Sequence, residues 1–302
     1  MAEEYPPFNI SGIEYYIKRK LGVDGYFASA YLAESAGQSP ERLVIKVIHP
    51  GLIFNTADEG RRLNFAQEAV ILALLAKQGI SDVVGLRGVA PICLEFLKTS
   101  TKSRSESDDL LKKCVGNPYR SKPSFIFDLF EGSPAGRGQI QSDLTRLEEK
   151  LGSDSKMEVP YLALEFVDPE HYKSLNQLIL DKSGLAPKQG LEICRRFSAL
   201  LYAIHELEIA YKDMKEGHIF WDAENKRMKV IDWNASTLAA TQDDLDTDRF
   251  EFGRIMYHVF SGRLYTSPND HENGSRLPKI TLAALSAASQ ANDSIDFGSL
   301  SL

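Results

Sequence analysis

The sequence is poor in cysteine, in long apolar runs and in basic clusters, and each shortage disfavours a class of protein. Three cysteines without C-x-x-C spacing among 302 residues argue against a disulfide scaffold and a zinc ribbon. The longest apolar run, Ala69–Ala76, is far shorter than the ~20 residues that a membrane-spanning helix needs. Acidic residues outnumber basic ones by 42 to 35, and the resulting net charge of −7 disfavours nucleic-acid binding through bulk charge.

The remaining composition is that of an ordinary globular protein, with 43% apolar and 10% aromatic residues. The first ten residues, MAEEYPPFNI, contain no apolar segment of the kind found in signal peptides. We therefore expect a cytoplasmic protein without a membrane or nucleic-acid partner. A chain of this length predicts about two domains.

Apolar periodicity predicts strands and one helix in the first half of the chain. Two strands around the turn-rich segment Ser35–Pro40 predict an antiparallel hairpin, and residues 61–79 have the spacing of a helix that ends at Gly79. Another strand is predicted near 83–92. Residues 98–158 are rich in Ser, Gly and Pro, which predicts a mostly mobile insertion.

The second half predicts a strand at 161–167 and a helix that begins at Pro187. A second hairpin is expected around the turn residues 222–226, followed by a buried helix over 248–262. Beyond about residue 264, the composition predicts a weakly structured tail with one short helical stretch, residues 280–288.

Four short segments place charged residues beside apolar strands or helices. They are Leu43–Lys46 (LVIK), Tyr211–Phe220 (YKDMKEGHIF), Val230–Asn234 (VIDWN) and Asp248–Gly253 (DRFEFG). Together they resemble the V-A-I-K, H-R-D-L-K-x-x-N, D-F-G and D-x-x-x-x-G motifs of the eukaryotic-like protein kinase superfamily. The resemblance runs from about Leu21 to Gly262 and is interrupted by the insertion.

The resemblance implies an α+β, bilobal, protein-kinase-like fold. Residues 1–167 would form a β-rich N-terminal lobe that carries one helix and the insertion. Residues 168–302 would form a shortened, helical C-terminal lobe with the catalytic loop. A kinase of this kind implies ATP as a partner, Mg²⁺ as the cofactor with Mn²⁺ as the alternative ion, and a protein substrate.

The resemblance also assigns catalytic roles to charged residues. Lys46 would neutralise the α- and β-phosphates of ATP, and Glu68, 22 residues further on, would be its partner. Asp213 would accept the proton of the substrate hydroxyl. Lys215 would reach the γ-phosphate, and a lysine at that offset is typical of Ser/Thr kinases. Asp232 would be a metal ligand.

Nucleotide contacts through the backbone are implied at two further segments. Gly22 and Gly25 resemble the glycine-rich loop that approaches the phosphates, although Ala28 stands where a third glycine usually lies. Glu165 and Val167 follow Leu164, the residue at the gatekeeper position, and their backbone groups would bind adenine.

Two departures from the kinase pattern stand out. His218 lies where the family has an asparagine that binds the second metal ion, and imidazole is a poorer ligand for Mg²⁺ than an amide oxygen. Only 15 residues separate Asp232 from Asp248, too few for the usual activation loop and A-P-E segment. Lys212 replaces the arginine that normally binds an activation-loop phosphate.

Three functions remain open at this point. The first is a Ser/Thr protein kinase-like phosphotransferase that uses MgATP. The second is a pseudokinase that binds a nucleotide or a protein without performing chemistry, which His218 and the short connection favour. The third is a small-molecule kinase, which Lys215 disfavours because such enzymes rarely have a lysine there.

Overall fold

Six antiparallel strands form the main sheet of the protein. The structure is a computed structural model, and it describes residues 8–10, 13–22, 28–48, 59–93, 157–179 and 185–265. The chain divides into two units, Met1–Gln78 with Val84–Phe166, and Gly79–Val83 with Val167–Leu302. The first unit contains the large sheet and the second contains most of the helical residues described.

The sheet of the first unit has the strand order β1-β2-β3-β4-β6-β5. Its strands are β1 (Phe8–Ile10), β2 (Ile13–Leu21), β3 (Ala28–Ser35), β4 (Arg42–Ile48), β5 (Leu86–Cys93) and β6 (Met157–Glu165), and helix α1 (Glu59–Lys77) lies between β4 and β5 in the chain. Leu43, Ile45 and Val47 are buried, at most 1% exposed. Because side chains alternate along a strand, Lys46 lies on the opposite face of β4 from these residues.

The described part of the second unit is built around two long helices, one short helix and two small sheets. Its elements are β7 (Lys173–Ser174), α2 (Leu175–Leu178), α3 (Pro187–His205), β8 (Ile209–Ala210), β9 (Ile219–Asp222), β10 (Arg227–Val230), β11 (Thr237–Leu238) and α4 (Gln242–Ser261). The sheets have the orders β10-β9-β7 and β11-β8. Helices α3 and α4 pack through Phe197 and Phe252, whose ring centroids are 5.7 Å apart.

The predicted α+β class is confirmed, with a β-rich N-terminal unit and a largely helical C-terminal unit in the described residues. Both predicted hairpins are present, as β3–β4 and β9–β10. Several boundaries differ from the prediction by two or more residues, and two of the differences have a visible cause. Helix α4 begins at Gln242, because Thr241 and Asp244 form a capping box there. Strand β6 begins at Met157, where it already pairs with the end of β5.

Several predictions concern residues that the structure does not describe. Most of the predicted insertion at 98–158, the tail beyond residue 265 and the short helical stretch at 280–288 lie outside the described residues. In the ranges that are described, every helix is too short or too polar to cross a membrane.

Candidate functional site

Lys46 and Glu68 form an ion pair inside the first unit. Lys46 Nζ donates a hydrogen bond to Glu68 Oε2 over 2.7 Å, and the glutamate side chain is fully buried while the lysine side chain is 13% exposed. Strand β4 and helix α1 therefore present the two residues that the resemblance pairs. A buried ammonium needs such a partner, because desolvation without one is costly.

The end of strand β6 is held by Glu165. Its backbone N–H donates to the carbonyl of Gly85 over 2.7 Å, and its side-chain Oε2 accepts from the backbone N–H of Gly85 over 2.9 Å. Leu164 is 6% exposed, and Val167 begins the second unit. These two hydrogen bonds between Glu165 and Gly85 hold the backbone in place immediately after Leu164, at the segment predicted to bind adenine.

The predicted glycine-rich loop is only partly described. Gly22 has a φ of +61°, a left-handed conformation in which a side chain would be strained. Ala28 begins strand β3. Gly25 lies outside the described residues.

Asp248 anchors the loop that carries Asp213. The carboxylate is fully buried on α4, where Oδ2 accepts from the backbone N–H of Tyr211 (2.6 Å) and Oδ1 accepts from that of Lys212 (2.8 Å). Oδ2 also lies 3.1 Å from His205 Nε2 at the end of α3. Lys212 has a positive φ of 63°, a conformation uncommon for lysine. The carboxylate therefore holds both backbone amides that precede Asp213.

Lys212 has a second anchor on the same helix. Its Nζ lies 2.7 Å from Asp244 Oδ1, while Thr241 donates to Asp244 Oδ2 from its backbone N–H and its hydroxyl. The hydrogen bond from Lys212, followed by those from Thr241, lowers the pKa of Asp244 to about 2. Lys212, which the resemblance aligns with a phosphate-binding arginine, is thus already paired with a carboxylate of this chain.

The depressed pKa of Asp244 gives a pH-dependent prediction. Its ionised form is bound in the folded state, so its stabilising effect is present above the unfolded pKa of ~3.9 and is lost as the pH falls toward 2. We expect Asp244→Asn to be less stable than the native chain at neutral pH, with the difference shrinking between about pH 5 and pH 2. Urea unfolding midpoints measured across this range would show it.

The exposed Asp243, in the same helical turn, provides the matched control. Asp243→Asn should leave the unfolding midpoint nearly unchanged over the same pH range. A difference between Asp244→Asn and the native chain that stays constant down to about pH 2 would contradict the role given to Asp244.

Asp213 and Lys215 lie side by side in the loop. Lys215 Nζ is 2.6 Å from Asp213 Oδ1, and the two side chains are 59% and 22% exposed. Both charges are therefore accessible to a solute. The pair places one carboxylate and one ammonium within reach of the same small group.

His218 lies between Asp213 and Asp232. Its Nδ1 is 3.6 Å from Asp213 Oδ2, and its Nε2 is 3.6 Å from Asp232 Oδ2. One ligand atom from each of the three residues can be chosen so that all lie within 4.8 Å of one another. Asp232 has φ and ψ of 65°, a left-handed conformation that aspartate adopts more readily than most residues. Two carboxylates and an imidazole at this spacing fit a divalent cation.

Several contacts of the site could not be read from the sequence. The Tyr211 hydroxyl donates to the carbonyl of Ile231 over 2.6 Å and lies 3.3 Å from His218 Nδ1. Buried Glu216 accepts from His258 Nδ1 over 2.7 Å. The spacing of Thr241 and Asp244 is a readable capping signal, whereas the contacts of Tyr211 and Glu216 follow from tertiary structure alone.

The comparisons with known proteins found similarity among solved structures alone. No family model and no curated protein matches the sequence. Among solved structures, the chain is similar to the crystal structure of a Plasmodium kinase domain, with 13% identical residues and a TM-score of 0.47 over 85% of this chain and 67% of that one. Because so few residues are identical, the similarity assigns no role to any side chain of the site.

Proposed function

We propose that this chain is an ATP-dependent phosphotransferase that moves the γ-phosphate of metal-bound ATP to a serine or threonine hydroxyl. The observation that carries the proposal is the cluster of Asp213, His218 and Asp232, with Lys215 paired to its first member. Two carboxylates, an imidazole and an ammonium on one loop system suit a metal-bound phosphate better than they suit a structural role. We place the protein in the cytoplasm, with a protein substrate and without a nucleic-acid partner.

Asp213 and Lys215 carry the chemical step in this proposal. As the substrate oxygen forms its bond to the γ-phosphorus, Asp213 accepts the hydroxyl proton. The bond between the γ-phosphorus and the bridging oxygen breaks, and ADP leaves with the electron pair. Lys215 stabilises the negative charge on the transferred group. The exposed Lys215 side chain and the half-buried Asp213 side chain, 2.6 Å apart, support these roles.

Asp232 and His218 are the residues that would hold the divalent ion. Bound there, Mg²⁺ or Mn²⁺ would neutralise charge on the phosphate oxygens. The positive φ of Asp232 supports a functional role, because strained backbone of this kind is concentrated at sites where it positions a side chain.

Lys46 would contact the α- and β-phosphates, with Glu68 holding its ammonium in place. A buried ion pair contributes little net stability, because the desolvation of both charges offsets their attraction. The complete burial of Glu68 therefore supports a functional role for the pair in addition to any effect on stability. The backbone groups of Gly22, Gly25, Glu165 and Val167 complete the proposed nucleotide contacts.

Nucleotide binding tests this proposal directly. A ligand that binds only the folded protein stabilises it by about 2.7 kcal/mol at a concentration of ~100 Kd, so ATP with Mg²⁺ should raise the thermal unfolding temperature. Asp232→Asn should lose most of this shift, and the exposed-site variant Asp243→Asn should keep it. No shift with either ion would overturn the proposal, whereas a shift without turnover would identify the non-catalytic, pseudokinase alternative.

A further inference from the structure

We propose that His218 Nε2 and Asp232 Oδ2 form a nitrogen-containing site that selects Mn²⁺ over Mg²⁺ and binds it without nucleotide, with Asp213 as the third nearby oxygen donor. The inference deepens the proposed function, on which it rests for the use of the ion. The resemblance to kinases implies an all-oxygen site, so a histidine ligand would change which metal the protein takes.

The surroundings of Nδ1 determine which nitrogen of His218 can bind a metal. Nδ1 is 3.1 Å from the backbone carbonyl of Asp213 and 3.3 Å from the Tyr211 hydroxyl. That hydroxyl already donates its hydrogen to the carbonyl of Ile231 over 2.6 Å. Both neighbours of Nδ1 therefore act as acceptors, so in the neutral ring Nδ1 carries the hydrogen and Nε2 carries the lone pair.

The arrangement of the ring is that of a metal ligand. Histidines that bind metals through one nitrogen usually donate the other N–H to a backbone carbonyl or a carboxylate, which fixes the tautomer and the ring orientation. Here the carbonyl of Asp213 is that acceptor. The lone pair of Nε2 is thus directed to the side on which the Asp232 carboxylate lies, 3.6 Å away.

The distance between Nε2 and Asp232 Oδ2 suits a shared ion rather than a direct hydrogen bond. At 3.6 Å the two atoms are too far apart for a hydrogen bond. Two donors about 2.1–2.2 Å from one cation, at an angle of roughly 90–110°, lie about 3.0–3.6 Å apart. A cation could be accommodated with little movement of either side chain.

The backbone around the site holds the two ligands together. The N–H of Ile231 donates to the carbonyl of His218 over 3.0 Å, next to the antiparallel pair of Val230 and Ile219. Asp232 follows immediately, in its left-handed conformation. Residues 218 and 232 are therefore tied by main-chain hydrogen bonding, which reduces the entropy lost when both side chains bind one ion.

The donor set determines the choice of metal. Mg²⁺ is a hard cation that prefers oxygen ligands and gives up water reluctantly. Imidazole suits first-row transition ions, and Mn²⁺ also accepts carboxylate and phosphate oxygens. Mn²⁺ is therefore the ion that fits both this site and a nucleotide.

The test is a titration of the full chain with Mn²⁺ in the absence of nucleotide, followed by electron paramagnetic resonance. Pulsed measurements of the bound ion detect magnetic coupling to a directly coordinated ¹⁴N nucleus. We expect this coupling in the native chain, and we expect competition by Mg²⁺ only at a large excess. His218→Asn should abolish the coupling and weaken Mn²⁺ binding by about tenfold or more.

The exposed His171 gives a matched control, because His171→Asn makes the same change away from the site. It should retain both the coupling and the affinity. Absence of ¹⁴N coupling in the native chain, or Mn²⁺ binding that His218→Asn leaves unchanged, would overturn the inference. If the inference fails but the chain binds ATP with Mg²⁺, the proposed function is still supported. If Mn²⁺ shows the nitrogen coupling but no nucleotide binds, only the proposed function is contradicted.

Discussion

Lys46→Met and Asp232→Asn are each expected to lower the phosphotransfer rate of the folded protein by at least ~10²–10³-fold. Lys46 loses the ammonium that is hydrogen-bonded to Glu68, and methionine retains the length of the side chain. Asp232 loses one negative charge at the proposed metal site. Such groups act most strongly on charge that develops in the transition state, so the rate should fall more than the affinity.

The first unit offers a matched control for Lys46. Lys18 and Glu34 form an exposed lysine–glutamate pair on neighbouring strands, with a separation of 4.0 Å and a lysine that is 47% exposed. Lys18→Met should retain native phosphotransfer. Circular dichroism of each variant would verify folding, and native-like turnover in Lys46→Met or Asp232→Asn would remove the roles proposed for these residues.

Asp248→Ala is expected to destabilise the protein by about 3–5 kcal/mol. The substitution leaves the backbone amides of Tyr211 and Lys212 without their carboxylate acceptor and removes the contact with His205. Each buried donor without a partner costs about 1–3 kcal/mol. The measurement is the free energy of unfolding from urea denaturation.

The exposed Asp243 on the same helix separates this effect from the mere loss of a charge. Asp243→Ala should cost about 0–1 kcal/mol, because its side chain is exposed to solvent. Equal unfolding free energies for the two variants would contradict the view that Asp248 holds the loop. Phosphotransfer by the Asp248→Ala molecules that remain folded should also fall, because Asp213 directly follows the two backbone amides that lose their acceptor.

Local patterns were sufficient to predict most elements of the described fold. Helix α3 was predictable because Pro187 marks its start and its apolar residues recur at helical spacing. The hairpin β9–β10 was predictable because turn residues separate two apolar runs. The start of α4 was missed because its first two turns, QDDLDTD, have a single apolar residue and their helical state depends on the cap at Thr241.

The candidate site was predictable only as a set of residues. The motif spacing pointed to Asp213, His218 and Asp232 but contained nothing about the tautomer of His218, which depends on where the Tyr211 hydroxyl and the Asp213 carbonyl lie. The pairing of Lys212 with Asp244 likewise joins residues 32 positions apart. Such contacts follow from tertiary packing, which has no local periodicity in the sequence.

The most direct test of the central claim is transfer of radiolabelled phosphate from [γ-³²P]ATP by the purified chain, with Mg²⁺ and with Mn²⁺, beside the variant Asp213→Asn. A generic protein substrate and the chain itself would serve as acceptors. We expect label on serine or threonine in the native chain, more with Mn²⁺ than with Mg²⁺, and a loss of at least ~10²-fold in Asp213→Asn. No labelling above background with either ion, or equal labelling by Asp213→Asn, would contradict it.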